Sequence, residues 1–178
     1  GAAAIVTDMA PLPKDINKLA QKLTIPILQC ENPRRVMAKM AAIHWSSQPS
    51  MVAAVTGTNG KTATTEFLRQ LWHRATWQGI AVGTLGITGT DMIKSEGTLL
   101  SLPPLTTPDS ISLHATLAPL TKAGVTHLAL EASSHGLEQF RLDGLNIHIA
   151  AFTNLSRDHL DHHIDMDRYF AAKHRLLT

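Results

Sequence analysis

The chain has 178 residues, 44% of them apolar, and its 16 basic and 14 acidic residues leave a formal net charge of +2. This composition is typical of a globular protein and argues against a disordered or fibrous chain. Basic residues do not cluster with aromatic residues, which make up 4% of the chain, so we expect no nucleic-acid partner. No apolar run approaches the roughly 18 residues that a membrane span needs, so we expect no membrane partner either.

Cysteine usage and the two ends of the chain add further expectations. Cys30 is the single cysteine, so no internal disulfide can form, and no signal peptide opens the chain. Together these features favour a cytoplasmic protein. The first residues already show a strand-like pattern, and a helix-like pattern continues to Thr178. We therefore expect that both ends are cut and that the length holds one domain plus part of another.

The first unit of the chain alternates short strands with helices. In chain order, the pattern predicts a strand, a polar helix, a second strand and an amphipathic helix at residues 3–7, 14–23, 25–29 and 33–45. The polar segment that follows, residues 46–50, contains a proline and is typical of a link. The predicted domains are therefore residues 1–50, a partial small α/β domain, and residues 51–178.

The second unit also alternates strands with helices. Strands are predicted at 52–56, 80–85, 126–130 and 147–153, and helices at 62–77, 109–123 and 166–177, with a glycine-rich stretch running through Gly97. This alternation predicts an α/β fold in which helices cover both faces of a mostly parallel sheet. Ligands of such sheets bind beyond the carboxyl ends of the strands. We therefore expect the loop after strand 52–56, Glu131 and residues 154–161 to line one edge of the sheet.

The turn after strand 52–56 predicts a phosphate-binding loop. Gly57 and Gly60 allow the tight turn that aims several backbone N–H groups at one anion. Lys61 adds a positive charge, Thr62 offers a hydroxyl to Mg²⁺, and the following helix directs its positive dipole end at the same place. The strict pattern has a glycine where this chain has Val55. A glycine-rich turn that binds nothing therefore stays an alternative.

Two further positions are candidates for metal binding. Glu131 closes the apolar run 126–130, where a carboxylate can ligate Mg²⁺, and the alternative is a solvated residue at a strand end. His159 lies in residues 154–163, a run rich in Asp and His. This run lacks the His-Glu-x-x-His pattern, and the chain offers no thiolate pair. From the residues alone, a zinc site and a helix-capping segment both stay open.

Other segments hold side chains suited to binding or capping. Thr106-Thr107-Pro108-Asp109 is typical of a helix start, and capping and ligand binding are equally open. Ser133 lies outside any G-x-S-x-G pattern, so hydrogen bonding to a polar ligand is preferred over a role as nucleophile. Gln139 and Arg141 can point together, and the planar fork of Arg141 suits a carboxylate or phosphate. By itself, Lys173 is typical of a surface lysine.

Several of these motifs coincide in order and spacing with one family. The chain resembles the Mur ligases, the ATP-dependent amide-forming enzymes of peptidoglycan synthesis, in Thr56-Gly57-Thr58-Asn59-Gly60-Lys61-Thr62, Thr106-Thr107-Pro108-Asp109, Glu131-Ala132-Ser133-Ser134-His135-Gly136-Leu137 and Thr153-Asn154-Leu155-Ser156-Arg157-Asp158-His159-Leu160-Asp161. It is most similar to the MurE type, which adds a diamino acid to UDP-N-acetylmuramoyl-L-alanyl-D-glutamate. The family's loop also lacks the earlier glycine. The resemblance implies part of the N-terminal domain in residues 1–50, an incomplete central ATP-binding domain in 51–178, and no C-terminal amino-acid-binding domain.

The resemblance also implies roles residue by residue. The ATP phosphates would be bound by Gly57, Thr58, Asn59, Gly60, Lys61 and Thr62, and Lys61 would stabilise charge on the transferred γ-phosphoryl group. The protein ligands of Mg²⁺ would be Thr62, Glu131 and His159. The muramoyl-dipeptide substrate would be held by Thr106, Thr107, Ser133, Gln139 and Arg141. Lys173 would be carbamylated by CO₂ and so become an anionic ligand or orienter for a second Mg²⁺.

The chemistry that the resemblance implies is carboxylate activation. The terminal carboxylate of the substrate would attack the γ-phosphorus of ATP to give an acyl phosphate, which the amine of the diamino acid would then attack. Meso-diaminopimelate and L-lysine cannot be told apart. The alternatives are another Mur-like ligase, such as a folylpolyglutamate or cyanophycin synthetase, a nucleotide-binding regulatory module, and a structural domain that retains the loop. We expect a monomer, and we expect these 178 residues alone to bind nucleotide weakly and to lack ligase activity.

Overall fold

The structure, a computed structural model, describes residues 3–92, 102, 105–158 and 160–178. The strands are β1 (Ile5–Thr7), β2 (Ile27–Gln29), β3 (Met51–Thr56), β4 (Gly79–Gly83), β5 (Gly86–Thr88), β6 (His127–Glu131) and β7 (Ile149–Phe152). The α-helices are α1 (Lys14–Leu23), α2 (Pro33–His44), α3 (Lys61–Arg74), α4 (Ser110–Lys122), α5 (Ser134–Glu138), α6 (Leu160–His163) and α7 (Met166–His174). Within the described residues, no helix has the length and apolar character needed to cross a membrane.

The first unit is built around a two-stranded parallel sheet of β1 and β2. Helix α2 begins after Asn32, whose side-chain oxygen accepts a hydrogen bond from the Arg35 backbone N–H at 3.1 Å. Pro33 occupies the first helical position, where its missing N–H would have had no partner within the helix. The predicted strands 3–7 and 25–29 exist but are shorter, because only three residues of each pair with the other strand.

The second unit is built on a five-stranded sheet in the order β5-β4-β6-β3-β7. Strands β3, β4, β6 and β7 run parallel, and β5 pairs antiparallel with β4. Strand β3 lies between β6 and β7, and residues 52–56 are all buried. A strand covered on both faces is a continuous apolar run, which explains why this segment shows no polar alternation.

Helices cover both faces of this sheet. Val52 and Ala54 of β3 belong to the apolar core that includes Leu113 of α4. Ala53, between them in sequence, packs in a second core with Trp72 of α3. Because successive side chains of a strand point to opposite faces, α3 and α4 lie on opposite sides of the sheet. The prediction of an α/β fold with a mostly parallel sheet and helices on both faces is confirmed.

Several element boundaries differ from the sequence-based prediction. The strand predicted at 80–85 ends at Gly83, because Gly86, with a φ of 78°, lies where the chain turns back into the edge strand β5. Residues 93–97 of the glycine-rich stretch lie outside the described residues. The helix predicted at 62–77 ends at Arg74, since Thr76 has a left-handed φ of 63°. The helix predicted at 166–177 is α7 followed by a 3₁₀ turn. Helices α5 and α6 were not predicted, because they are shorter than the window in which helical periodicity is visible.

Helix α2 connects the first unit to the second. It packs against α4, and Arg35 Nε lies 2.9 Å from Asp143 Oδ2. A Cβ on Gly144 would lie 2.5 Å from the Ala38 carbonyl oxygen, so the backbones approach closely there. The domain boundary after residue 50 stays a prediction.

Candidate functional site

Three segments meet at the carboxyl edge of the sheet. Strands β6, β3 and β7 are neighbours, with Val55 paired to Glu131 and Thr56 paired to Phe152. The loop of residues 57–60 follows β3, Glu131 ends β6, and residues 153–156 follow β7. The topology therefore brings together the segments that the sequence singled out. His159, the predicted metal ligand in the last of them, lies outside the described residues.

The loop after β3 has the backbone of an anion cradle. Gly57 and Gly60 have φ angles of 138° and 85°, which L side chains rarely adopt. A Cβ on Gly57 would lie 1.9 Å from Thr153 Oγ1, so the approach of the neighbouring loop also requires glycine. Gly60 is the N-cap of α3 and has no side chain to cap it. The first N–H groups of α3 and its dipole therefore face the loop, an arrangement that suits a phosphate group.

The segment after β7 holds this loop in place. The Thr58 N–H donates to the Asn154 carbonyl oxygen at 2.9 Å, and the Asn59 N–H donates to Asn154 Oδ1 at 3.1 Å. Asn154 Nδ2 donates back to the Asn59 carbonyl oxygen at 3.1 Å. Sequence reasoning placed Asn154 in a polar run and missed this role. The signal that reveals it is the adjacency of β3 and β7 in the sheet, which no local pattern contains.

Two lysine ammonium groups converge on one carbonyl of the loop. Lys61 Nζ donates to the Gly57 carbonyl oxygen at 2.9 Å and to that of Thr58 at 2.8 Å. Lys173 Nζ, from α7, donates to the same Gly57 oxygen at 2.7 Å. The Lys173 side chain is buried, with the residue 1% exposed, so the interpretation as a surface lysine is wrong.

Burial changes the protonation of both lysines. Burial first and the charge of Lys61 second lower the pKa of Lys173 to about 8, although the charge of Asp158 acts to raise it. Burial also lowers the pKa of Lys61, while the charges of Glu131 and Asp158 act to raise it. At about pH 7, about one in ten Lys173 amines is neutral, against about three in ten thousand for an ordinary lysine. Lys173 therefore offers a nucleophilic amine beside the loop.

Tyr169 joins α7 to the loop after β3. Its hydroxyl donates to Thr58 Oγ1 at 3.2 Å, and the same Thr58 oxygen accepts the Ser156 N–H at 3.0 Å. Lys173 Nζ lies 4.4 Å from the centroid of the Tyr169 ring, within the range of a cation–π contact. Sequence reasoning missed Tyr169. The available signal was its position four residues before Lys173 on a helix, which puts both side chains on one face.

Glu131 is a buried carboxylate, and the alternative of a solvated strand end is wrong. The residue is 1% exposed, and its Oε1 accepts the Thr84 N–H at 2.9 Å. A Cβ on Gly83 would lie 2.1 Å from Glu131 Oε1, so the glycine at the end of β4 makes room for the carboxylate. Thr62 is the second residue of α3, directly after the loop, and the charge of Glu131 acts on Lys61 next to it. Carboxylate and hydroxyl oxygens are hard donors of the kind that Mg²⁺ prefers, so the residues present fit that ion.

The five predicted substrate residues belong to one hydrogen-bond network around Glu131. Thr107 Oγ1 donates to the Glu131 carbonyl oxygen at 2.8 Å and accepts the Ser133 N–H at 2.8 Å. Thr106 Oγ1 lies 3.1 Å from the hydroxyl of Thr84, the residue that binds the Glu131 carboxylate. Arg141 makes the remaining contacts. Its guanidinium donates to the Thr107 carbonyl oxygen and, at 2.7 Å, to Gln139 Oε1.

The contacts of these segments also show which side chains cap helices. Asp109 Oδ1 caps α4 by accepting the Ser112 N–H at 2.9 Å, so the helix-start motif does cap, through its last residue. Ser133 Oγ caps α5 by accepting the Gly136 N–H at 3.1 Å. Thr107 is 1% exposed, whereas the other four predicted substrate residues are only partly buried, namely Thr106, Ser133, Gln139 and Arg141. Thr107 is therefore placed to support the network, and substrate contact by all five residues stays a prediction.

An apolar groove lies between the first unit and α4. It encloses about 500 Å³, and its lining includes Met37, Met40 and Trp45. Apart from Arg34 and His44, the lining residues are apolar. A reaction site needs convergent polar groups, so the chemistry belongs at the carboxyl edge of the sheet rather than in this groove.

Comparison with known proteins gives a consistent result. Residues 55–178 match the family model described as Mur ligase middle domain. The chain is 44% identical over 176 residues to a UDP-N-acetylmuramoyl-L-alanyl-D-glutamate--2,6-diaminopimelate ligase of Bradyrhizobium diazoefficiens, covering 99% of this chain and 33% of that protein. It is 43% identical over 176 residues to the ligase of the same name from Caulobacter vibrioides, covering 99% of this chain and 34% of the relative. The chain thus spans about one third of the length of these relatives.

Solved structures agree with the sequence comparison. A structure of a UDP-N-acetylmuramoyl-L-alanyl-D-glutamate--2,6-diaminopimelate ligase superposes with a TM-score of 0.70 at 32% identity, covering 96% of this chain and 37% of that one. A structure of E. coli FolC in complex with DHPP and ADP superposes with a TM-score of 0.60 at 16% identity, covering 82% of this chain and 39% of that one. At that identity the second likeness concerns the fold alone.

Proposed function

The chain belongs to the Mur ligase family, and on that basis we propose that it provides the ATP-binding part of a ligase that joins 2,6-diaminopimelate to UDP-N-acetylmuramoyl-L-alanyl-D-glutamate. Relatives with that name align with nearly the whole chain, which supports the proposal. Their names favour diaminopimelate over L-lysine, a choice that the residues of this chain leave open. Because the chain spans about one third of these relatives, the complete reaction would belong to the longer protein.

The observation that supports this function best is the convergence of Lys61 and Lys173 on the Gly57 carbonyl oxygen. The open N-terminus of α3 would bind the phosphates of ATP through backbone N–H groups, and Lys61 would exchange its carbonyl contacts for phosphate oxygens. Mg²⁺, bound at Thr62 and Glu131, would neutralise phosphate charge. The carboxylate of the muramoyl-dipeptide would then be converted into an acyl phosphate that the incoming amine can attack.

Lys173 would act in this reaction after modification by CO₂. Its neutral amine forms an N–C bond to CO₂ and loses one proton, which leaves a carbamate anion. The lowered pKa of Lys173, about 8, supports this step because only the neutral amine is nucleophilic. The ammonium of Lys61 shares the Gly57 oxygen with Lys173, so it would lie close enough to attract the carbamate.

The network around Glu131 would hold the muramoyl-dipeptide. Arg141 is the strongest candidate for its carboxylate or phosphate groups, since the guanidinium is partly exposed and bound to neutral acceptors, the Thr107 carbonyl and the Gln139 amide. Charged acceptors form stronger hydrogen bonds than neutral ones, so the substrate would displace these contacts. Thr106, Ser133 and Gln139 would add neutral hydrogen bonds around it.

A segment exchange tests the proposal. In the Bradyrhizobium diazoefficiens relative, the segment that is 44% identical over 176 residues is replaced by this chain. We expect the hybrid to release phosphate when UDP-muramoyl-dipeptide, ATP, Mg²⁺ and diaminopimelate are all present. Lys61→Ala should lower this rate by at least about a hundredfold, the effect of removing one group that stabilises transition-state charge. Lys39→Ala, which removes an exposed lysine of α2, is the matched control and should leave the rate unchanged.

Two results would contradict the proposal. Equal rates for Lys61→Ala and Lys39→Ala would show that the loop does not act on the phosphates. Phosphate release that needs neither the muramoyl-dipeptide nor diaminopimelate would instead support the nucleotide-binding regulatory module. The 178-residue chain on its own is expected to show no ligation.

A further inference from the structure

A cluster of metal-ligating side chains lies outside the phosphate loop. Glu138 is the last residue of α5, and His162 and His163 are the last two residues of α6. His162 Nε2 lies 2.7 Å from Glu138 Oε2, and His163 Nδ1 lies 4.0 Å from the same oxygen. One ligand atom of each residue lies within 4.8 Å of those of the other two. We propose that these three residues bind a divalent transition-metal ion, with Zn²⁺ as the best fit.

The donor types favour a transition metal over Mg²⁺. Two imidazoles and one carboxylate form a ligand set that Zn²⁺ uses, whereas Mg²⁺ prefers oxygen donors with several bound waters. This set therefore differs in kind from the Thr62 and Glu131 oxygens beside the loop. Three protein ligands also leave one position of a tetrahedral ion for water.

The distances fit an ion after small side-chain movements. Zn²⁺ lies about 2.0–2.2 Å from nitrogen and oxygen ligands, so neighbouring ligand atoms of a tetrahedral site are about 3.3 Å apart. The contact of 2.7 Å between His162 and Glu138 is a hydrogen bond that must open, and the distance of 4.0 Å from His163 to Glu138 must close. The His162 and Glu138 side chains are 39% and 51% exposed, so both can rotate without repacking a core.

His163 gives the site a fixed point. Its side chain is 1% exposed, and its Nε2 forms a hydrogen bond of 2.9 Å with Ser134 Oγ. A partner on one ring nitrogen orients the ring and directs the other nitrogen, here Nδ1, towards the ion. Ser134 is itself buried at the start of α5. One ligand is therefore held in place by the fold, and the two exposed ligands can close on the ion.

Metal binding would join α5 to α6. The cap of α5 is Ser133, whose backbone N–H donates to Thr107 in the network around Glu131. An ion held between the ends of the two helices would hence restrain the segment that leads from this network to α7. The inference does not depend on the proposed ligase function, because it rests on residues outside the phosphate loop.

Titration of the metal-free 178-residue chain tests the site. Zn²⁺ is added in the presence of excess Mg²⁺, which occupies oxygen sites, and the heat of binding is measured; Co²⁺ is used in parallel because four-coordinate Co²⁺ absorbs visible light. We expect one tight equivalent per chain. His162→Ala and Glu138→Gln should each weaken binding at least about tenfold. His73→Ala, which removes an exposed histidine of α3, is the matched control and should bind as the unchanged chain does.

Circular dichroism of each variant verifies the fold, and the exposure of His162 and Glu138 makes unfolding by these changes unexpected. Absence of a tight equivalent overturns the proposal. Equal affinity for Zn²⁺ in the unchanged chain and both site variants also overturns it. A loss of affinity that is as large in His73→Ala as in the site variants overturns it as well.

Discussion

Replacing the buried Lys173 by methionine should make the protein more stable at neutral pH. Lys173 is 1% exposed, and its ammonium group shares its carbonyl acceptor with Lys61. A pKa of about 8 in the folded chain, against the ordinary 10.5, means that folding disfavours the charged form by about 3 kcal/mol at about pH 7. Methionine has a similar shape and removes this cost, although it loses a hydrogen bond of about 1 kcal/mol. The expected net gain is about 2 kcal/mol.

The pH dependence of this gain identifies its cause. The folded pKa is lowered, so between about pH 8 and 10.5 the unfolded chain binds more protons than the folded chain, and stability rises with pH. By about pH 9.5 the cost of the buried ammonium falls to about 1 kcal/mol, and the advantage of Lys173→Met should vanish.

The assay is urea unfolding of both chains at about pH 7 and about pH 9.5 in CO₂-free buffer, with intact mass verifying that Lys173 is unmodified. Lys39→Met, on the surface of α2, controls for the general effect of losing a lysine and should show no such pH dependence. A Lys173→Met chain that is less stable than the unchanged chain at about pH 7 would refute the reasoning, as would a gain that does not shrink with rising pH.

Three other substitutions test single contacts. Gly83→Ala places a Cβ 2.1 Å from Glu131 Oε1 and should lower the free energy of unfolding by about 1–3 kcal/mol in urea titration, with a change below that range contradicting the tight fit. Tyr169→Phe removes the hydrogen bond to Thr58 and should cost about 1 kcal/mol, measured the same way. His114 is buried, and burial lowers its pKa below the ordinary 6.5, so the unfolded chain takes up the proton first. The stability of the unchanged chain should therefore decline as the pH falls below about 6.5, and that of His114→Leu should decline less. Identical pH profiles of thermal unfolding for the two chains would contradict this.

The features that sequence could predict follow from residues close together in the chain or from a general rule about parallel sheets. Strand β3 is a continuous apolar run, and the order of Gly57, Gly60 and Lys61 along the chain is enough to indicate an anion loop. The rule that ligands bind at the carboxyl ends of parallel strands placed Glu131 beside that loop, and the pairing of Val55 with Glu131 agrees. The strand and the place of Glu131 could be predicted because each rests on few residues that are close in sequence or on a repeated pattern, and phosphate binding by the loop stays a prediction.

The features that sequence could not predict depend on distant parts of the chain. Burial of Lys173 results from the packing of α7 against the loop, a contact between residues 116 positions apart. The hydrogen bond between Asn154 and Asn59 depends on the pairing of β7 with β3, and local sequence patterns do not reveal the order of strands in a sheet. Strand β5 was not predicted because its three residues, Gly86-Ile87-Thr88, give too short a pattern for alternation to be visible.

The cost of burying Lys173 itself argues for chemistry at this position. A lysine that only supported the fold would be improved by methionine, yet this one holds a cation next to a second cation, Lys61, on one carbonyl oxygen. Conversion to a carbamate would replace the repulsion between these two groups by attraction and would remove the buried ammonium. The proposed modification would therefore remove the charge repulsion between Lys61 and the protonated Lys173. A neighbouring cation that is unfavourable for the ammonium and favourable for the anionic product is what a site for CO₂ requires.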